Sequence, residues 1–141
     1  RYLRLLRESP AVHAADIYIT EIDKARLRSL VELDRGSEVF ELEHEIERAI
    51  VVDPWNVAED VVTMNSRALL QVDDEELEVA LVYPEDADDR AGKLSVCSGI
   101  GTAILGYKAG DAFSWRIPDR TCHIRIEKVL YQPEAAGDFH L

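Results

Sequence analysis

The stretch SGIGTAILGYKAGD, Ser98–Asp111, decides the fold of the C-terminal half of the chain. It predicts a short helix from about Gly101 to Tyr107, which a glycine-containing turn at Lys108–Asp111 closes. Four apolar side chains recur there at spacings of three and four, so they share one helical face. These are Ile100, Ala103, Ile104 and Tyr107. Because one short helix cannot bury such a stripe alone, we expect a sheet to pack on it.

Alternating apolar residues on both sides of this helix predict five strands. The first runs from Val61 to Val72, with Thr63 on its outer face, and the third covers Lys93–Cys97. The strands form an antiparallel sheet in this prediction. Its inward-facing side chains are Met64, Ala68, Leu70, Val72, Leu77, Val79, Leu81, Tyr83, Phe113, Trp115, Ile117, Cys122, Ile124 and Ile126.

The N-terminal part predicts two helices. Thr20 and Asp23 have the spacing of a helix cap, and the segment DRGS at Asp34–Ser37 interrupts the helical pattern. The apolar residues of the first helix are Ile22, Leu27, Leu30, Val31 and Leu33, and those of the second are Val39, Leu42, Ile46 and Ala49. The first helix carries basic and the second acidic side chains, so we expect a short antiparallel coiled-coil hairpin. We place the hairpin at residues 17–52, a linker at 53–60 and the second domain at 61–141.

Composition narrows the classes of partner. The chain of 141 residues has 28 acidic and 16 basic side chains and a net charge of −12. This charge disfavours binding to nucleic acid phosphates and favours a basic protein surface. No apolar run approaches the roughly 20 residues that span a bilayer. Cys97 and Cys122 have no CxxC spacing, so we expect a cytoplasmic protein without a zinc site or disulfide framework.

Three segments carry a resemblance to a known family. They are DVVTMNSR at Asp60–Arg67, LSV…GTAILGYKAGD at Leu94–Asp111 and YQPEAAGDF at Tyr131–Phe139. The plan of a helical hairpin followed by this β-rich domain resembles the bacterial Gre transcript-cleavage factors. With the short hairpin and the tail, the chain is similar to the Rnk group, named for regulation of nucleoside diphosphate kinase. The resemblance implies an α+β protein with an FKBP-like second domain that docks at the secondary channel of RNA polymerase.

The resemblance also suggests contact residues. At the hairpin tip, Gre factors carry a D-L-x-E-N motif whose carboxylates hold a catalytic magnesium ion, whereas this chain has ELDRGSEVFE. We therefore expect no RNA cleavage, no cofactor and no catalytic residue, but a polymerase contact through Asp34, Arg35 and Glu38. Gre factors commonly have Ser-Pro in a rim-contacting loop, and this chain has Ser98-Gly99, followed by Ile100. We expect docking by this loop.

Other functions are weaker candidates. Gly99-x-Gly101 lacks the further residues of a dinucleotide or Walker loop, so structural glycines are the better interpretation. His44 among glutamates is better explained as part of a solvated acidic face than as a metal ligand. An FKBP-like fold raises prolyl isomerase or chaperone activity, but fold does not fix function. We predict a monomeric, non-enzymatic competitor of Gre factors; the alternative is regulation of nucleoside diphosphate kinase level or nucleotide pools.

Overall fold

The structure is a computed structural model that describes residues 16–33, 40–117, 120–139 and 141. Its elements are β1 (Tyr18–Thr20), α1 (Glu21–Leu33), α2 (Phe40–Arg48), β2 (Ile50–Val52), β3 (Arg67–Val72), β4 (Glu75–Val82), β5 (Lys93–Ser95), α3 (Gly99–Ile104), β6 (Ala112–Ile117), β7 (Arg120–Tyr131) and α4 (Pro133–Ala136). Single 3-10 turns cover Pro84–Asp86 and Asp89–Ala91. The chain therefore has the predicted α+β content.

Helices α1 and α2 pack against each other as predicted. The backbone N–H of Asp23 donates to Thr20 Oγ1 at 3.1 Å, which is the predicted cap contact. Leu27, Leu42 and Ile46 are buried, whereas Ile22 and Leu33 are 38% and 88% exposed. The predicted stripe was therefore wrong for Ile22 and Leu33. Both lie near the ends of α1, where neither α2 nor the sheet covers them.

The two ends of the helical segment form a small parallel sheet that the sequence analysis missed. Tyr18 pairs with Ile50, Ile19 with Val51 and Thr20 with Val52. Each strand has only three residues, too short for an alternating pattern to stand out. The pair ties the start of α1 to the segment after α2. It thereby fixes the base of the hairpin.

The main sheet has the order β5-β4-β3-β7-β6. Strands β4, β3, β7 and β6 pair antiparallel as predicted, but β5 pairs parallel with β4, so the prediction of a wholly antiparallel sheet was wrong. The two 3-10 turns bring the chain back beside the last residues of β4, where Lys93 pairs with Ala80 and Ser95 with Val82, so β5 runs in the same direction as β4.

Two predicted boundaries also shifted. Residues 63–66 make a turn rather than strand, and Val61 forms only an isolated bridge with Lys108. Asn65 has a φ of +67°, and Thr63, expected to face outward, is 1% exposed. The Thr63 hydroxyl donates to Glu134 Oε1 at 2.7 Å, which satisfies the buried oxygen. Helix α3 ends at Ile104 instead of Tyr107, because Gly106 adopts a φ of +83°.

The core is continuous from the helices to the sheet. Ile17, Leu27 and Ile46 belong to the same buried cluster as Tyr107 and Phe113. All predicted inward residues from Cys122 to Ile126 on β7 are buried. The domain boundary at residues 53–60 stays a prediction. No helix in the described ranges is long and apolar enough to span a membrane.

Candidate functional site

The first predicted contact region is the hairpin tip. Asp34, Arg35 and Glu38 lie outside the residues that the structure describes. Their contact with a partner therefore stays a prediction. The Ser98–Ile100 loop, in contrast, is fully described.

Ser98 closes the N-terminus of α3 with several hydrogen bonds. Its Oγ accepts from the backbone N–H of Gly101 at 3.1 Å and donates to the carbonyl of Ser95 at 2.7 Å. The backbone N–H of Thr102 donates to the Ser98 carbonyl at 2.8 Å. Because the side chain is used in both directions, it fixes the loop geometry and is not available to a partner through a spare donor.

The helix starts unusually close to the strand before it. A Cβ atom on Gly101 would lie 2.0 Å from the carbonyl oxygen of Ser95, so only glycine fits there. Thr102 is buried and its Oγ1 donates to the Val96 carbonyl at 2.7 Å. These contacts leave Gly99 exposed and Ile100 half-buried at a rigid edge. The predicted site therefore offers backbone and one apolar side chain to a partner.

A second region joins the helices to the sheet, and the sequence analysis missed it as a unit. Asp23 on α1 is 3% exposed, and its Oδ2 accepts the backbone N–H of Met64 at 3.1 Å. Burial raises the pKa of Asp23 to about 7, opposed by the hydrogen bond from Met64. The Glu134 carboxylate raises this pKa further, while Arg26 lowers it. One carboxylate thus connects the first turn of α1 to the turn at residues 63–66.

Helix α2 makes the matching connection on its side. Arg48 Nη2 donates to the Tyr107 hydroxyl at 2.9 Å, and its guanidinium lies 5.9 Å from the centre of that ring. Arg48 also pairs with Glu45 at 3.0 Å, a residue with 5% exposure. Tyr107 stacks on Phe113 with ring centres 4.2 Å apart and planes at 17°. Loss of Arg48 would leave the buried Glu45 carboxylate and the Tyr107 hydroxyl without this partner, which is the costly change at such a site.

Backbone contacts complete this junction at Gly106. The backbone N–H of Tyr18 donates to the Gly106 carbonyl at 3.1 Å, and the Gly106 N–H donates to Val62 at 2.9 Å. A Cβ on Gly106 would lie 2.8 Å from the Cβ of Ile17. The GTAILGYKAGD segment therefore positions the hairpin as well as closing the sheet. No local pattern in the sequence indicated this second contact, with the hairpin.

Within the described ranges, no group of three or more His, Cys, Asp or Glu side chains is arranged to hold a metal ion. His44 is exposed on α2, as are the nearby Glu41, Glu43 and Glu47.

Comparison with known families agrees with both halves of the fold. Residues 16–52 match the model described as the Rnk N-terminus. Residues 57–131 match the model for the C-terminal domain of the transcription elongation factors GreA and GreB. The chain belongs to the Rnk family of GreA/GreB-like proteins.

Individual relatives support this assignment. The chain is 37% identical over 131 residues to the regulator of nucleoside diphosphate kinase of Escherichia coli K12, covering 89% of this chain and 96% of the relative. It is 33% identical to transcription elongation factor GreA of Prosthecochloris aestuarii, over 67% of this chain and 61% of that protein.

A solved structure gives the same result for the fold. The GreA/GreB elongation factor from Nitrosomonas europaea superposes with a TM-score of 0.69 at 38% identity, over 83% of this chain and 99% of that one. The predicted combination of a helical hairpin and a β-sheet domain on a Gre-like plan is thereby confirmed. The description of the second domain as FKBP-like has no such support and stays a prediction.

Proposed function

We propose that this member of the Rnk family is a transcription regulator that binds RNA polymerase at the secondary channel and competes with Gre-type factors without cleaving RNA. One observation carries the proposal: a helical segment of the Rnk type is joined to a C-terminal domain shared with proteins named transcription elongation factors. The shared domain suggests a shared docking partner. The different N-terminal segment suggests a different consequence of docking.

The Ser98–Ile100 loop is the docking element in this proposal. Its geometry is set by the Ser98 cap and by the close approach at Gly101, so little conformational entropy is lost on binding. The exposed Gly99 lets a partner approach the backbone closely. The net charge of −12 favours a basic rim and predicts weaker binding at higher salt.

The hairpin has the role of a short obstruction in the channel entrance. Helix α1 has 13 residues, a length of about 20 Å. The segment that follows it, ELDRGSEVFE at Glu32–Glu41, does not contain the acidic motif of the cleavage factors. We propose that Asp34, Arg35 and Glu38 touch the channel wall and supply no metal ligands to the polymerase. On this proposal the protein is not an enzyme, acts as a monomer and works in the cytoplasm.

The first test is binding of the purified full chain to core RNA polymerase, with GreA as competitor. We expect mutual displacement, no transcript shortening in a stalled complex, and weaker binding as salt rises. Gly99→Glu places bulk and charge on the exposed loop and should reduce affinity about tenfold or more; Ala112→Glu, also at an exposed site, is the matched control. Asp34→Ala with Glu38→Ala should alter transcriptional effects with a smaller loss of affinity.

Absence of binding at micromolar concentration and low salt would remove the polymerase proposal. The second candidate function would then take precedence, because the Escherichia coli relative is named for regulation of nucleoside diphosphate kinase. It predicts that the kinase level or the nucleotide pools change when this protein is deleted. If the protein does not bind polymerase but its deletion still changes the kinase level or the nucleotide pools, the protein acts outside the polymerase.

A further inference from the structure

Trp55 is exposed to an extent that is unusual for so large an apolar side chain. It is 75% exposed and follows the short strand β2 in the connection to the main sheet. Single exposed apolar residues are common, but tryptophan is the residue type most enriched in the energetic centres of protein interfaces. Trp55 can act as the centre of an interface only if the surrounding residues hold it in place.

The turn at Asp53–Asn56 holds Trp55 in place. The backbone N–H of Asn56 donates to the Asp53 carbonyl at 2.9 Å, and Asn56 Nδ2 donates to Asp53 Oδ2 at 3.2 Å. Pro54 is buried and restricts the backbone just before Trp55. The tryptophan is therefore presented on a pre-organised turn, which lowers the entropic cost of binding.

The C-terminal segment supplies a second aromatic ring. Phe139 is half-buried, and its ring centre lies 5.6 Å from that of Trp55 with the planes tilted by 41°. Gln132 anchors this segment, since its Nε2 donates to the carbonyls of Ala58 and Val61 at 2.7 and 2.8 Å. Two segments that are distant in sequence thus present one aromatic surface.

Negative charge borders this surface. Thr20 pairs with Val52 across β1 and β2, so Glu21 and Asp53 directly follow two neighbouring strand ends. Hydrogen bonding with the Asp53 carboxyl group and the charge of that group raise the pKa of Glu21. A lysine or arginine from outside would relieve the repulsion between the two groups. We call Trp55, Phe139, Glu21 and Asp53 together the aromatic patch.

A cleft begins directly beside the aromatic patch. It has a volume of about 370 Å³, and its walls include Asn56 and Val57, the two residues that follow Trp55. Val52 and Val61 contribute apolar surface to it, and Lys108 and Asp60 polar groups. Its size and apolar walls suit one or two side chains of a bound protein.

We infer that the aromatic patch is a docking surface for a protein segment that carries lysine or arginine next to an apolar side chain. The apolar side chain contacts Trp55 and enters the cleft, and the cation lies between Glu21 and Asp53. The acidic border repels nucleic acid phosphates and anionic lipid headgroups. A second copy of this chain would bring the same carboxylates against each other. The patch lies outside the Ser98–Ile100 loop and the hairpin tip, and it does not depend on the polymerase proposal.

The test titrates the full chain with a short synthetic peptide that has the repeat Lys-Lys-Leu-Leu. Nitrogen-proton NMR spectra record the signals of the two indole N–H groups during the titration. We expect the Trp55 signal to shift saturably, while that of Trp115, 9% exposed on β6, stays in place. Isothermal titration calorimetry with the same peptide gives the affinity of the variants, and Trp55→Ala should weaken binding about tenfold or more. The pair Glu21→Gln and Asp53→Asn should weaken binding several-fold more than Glu75→Gln with Glu76→Gln, which removes the same charge from the exposed start of β4.

A peptide with glutamate in place of lysine controls for apolar binding and should leave the Trp55 signal unchanged. Equal affinities of the wild type and Trp55→Ala would overturn the inference, as would equal losses from the two charge-removing pairs. Thermal unfolding of each variant checks that folding is intact. Failure of the polymerase assay with a positive peptide result would remove the channel proposal and leave the aromatic patch standing.

Discussion

Two aromatic pairs in this protein have opposite surroundings. Tyr107 and Phe113 are stacked and buried, and the Tyr107 hydroxyl is hydrogen-bonded to Arg48 of the hairpin. Trp55 and Phe139 also touch, but the tryptophan is mostly exposed beside two carboxylates. The first pair holds the helices on the sheet through area removed from water. The second leaves that area available for a partner.

Truncation of the two pairs should give the largest contrast. Tyr107→Ala removes a fully buried ring and should lower the free energy of unfolding by about 3–5 kcal/mol. Trp55→Ala should change it by less than about 1 kcal/mol, because the side chain is already exposed. Urea denaturation of both variants measures this difference. Similar losses for the two would show that Trp55 supports the fold rather than a partner.

Asp23→Asn tests the buried contact between α1 and the Met64 N–H. Unlike the truncations above, this substitution should stabilise the protein at neutral and alkaline pH. The folded pKa of Asp23 is about 7, against an ordinary value of 3.8. Below about pH 4 Asp23 is protonated in both the folded and the unfolded state, so it does not lower the free energy of unfolding. As pH rises from there through 7, Asp23 ionises more readily in the unfolded state, and the free energy of unfolding falls. The difference corresponds to a ceiling of roughly 4 kcal/mol. Asparagine keeps an acceptor for the Met64 N–H and does not titrate.

The measurement for Asp23 is urea denaturation of the wild type and Asp23→Asn at pH 5 and pH 8. The stability of Asp23→Asn relative to the wild type should increase from pH 5 to pH 8. Comparing the two proteins at each pH removes the contribution that distant titrating groups make equally to both. A difference that does not vary with pH would contradict the raised pKa.

The smallest effects should come from two arginines in matched substitutions. Arg48→Met leaves the buried Glu45 without its partner and should cost about 2–3 kcal/mol. Arg28→Met breaks an ion pair with Glu47 in which both side chains are at least half exposed, and should cost about 0.5 kcal/mol or less. Thermal unfolding at low and high salt would measure both. Equal costs would show that the junction around Tyr107 is no stronger than the exposed helix surface.

Much of the fold could be predicted because its signals are local. The cap at Thr20 follows from a short-range hydrogen bond, and the inward residues of β7 follow from alternation. The Ser98–Ile100 loop was found through the resemblance, and the structure shows its geometry but not its partner. Thr63 was misplaced because its turn depends on Asn65 and on Glu134, which is far away in sequence.

The sequence by itself determined the order and type of the main elements, the net charge and the family. Periodicity is sufficient for the elements because it is a property of neighbouring residues, and the family follows from the resemblance of three segments to known proteins. Only the tertiary structure decided the parallel pairing of β1 with β2 and of β4 with β5, the burial of Asp23 and the meeting of Trp55 with Phe139. Those contacts join segments that are distant in the chain, and no local pattern encodes which distant surface will remove a side chain from water.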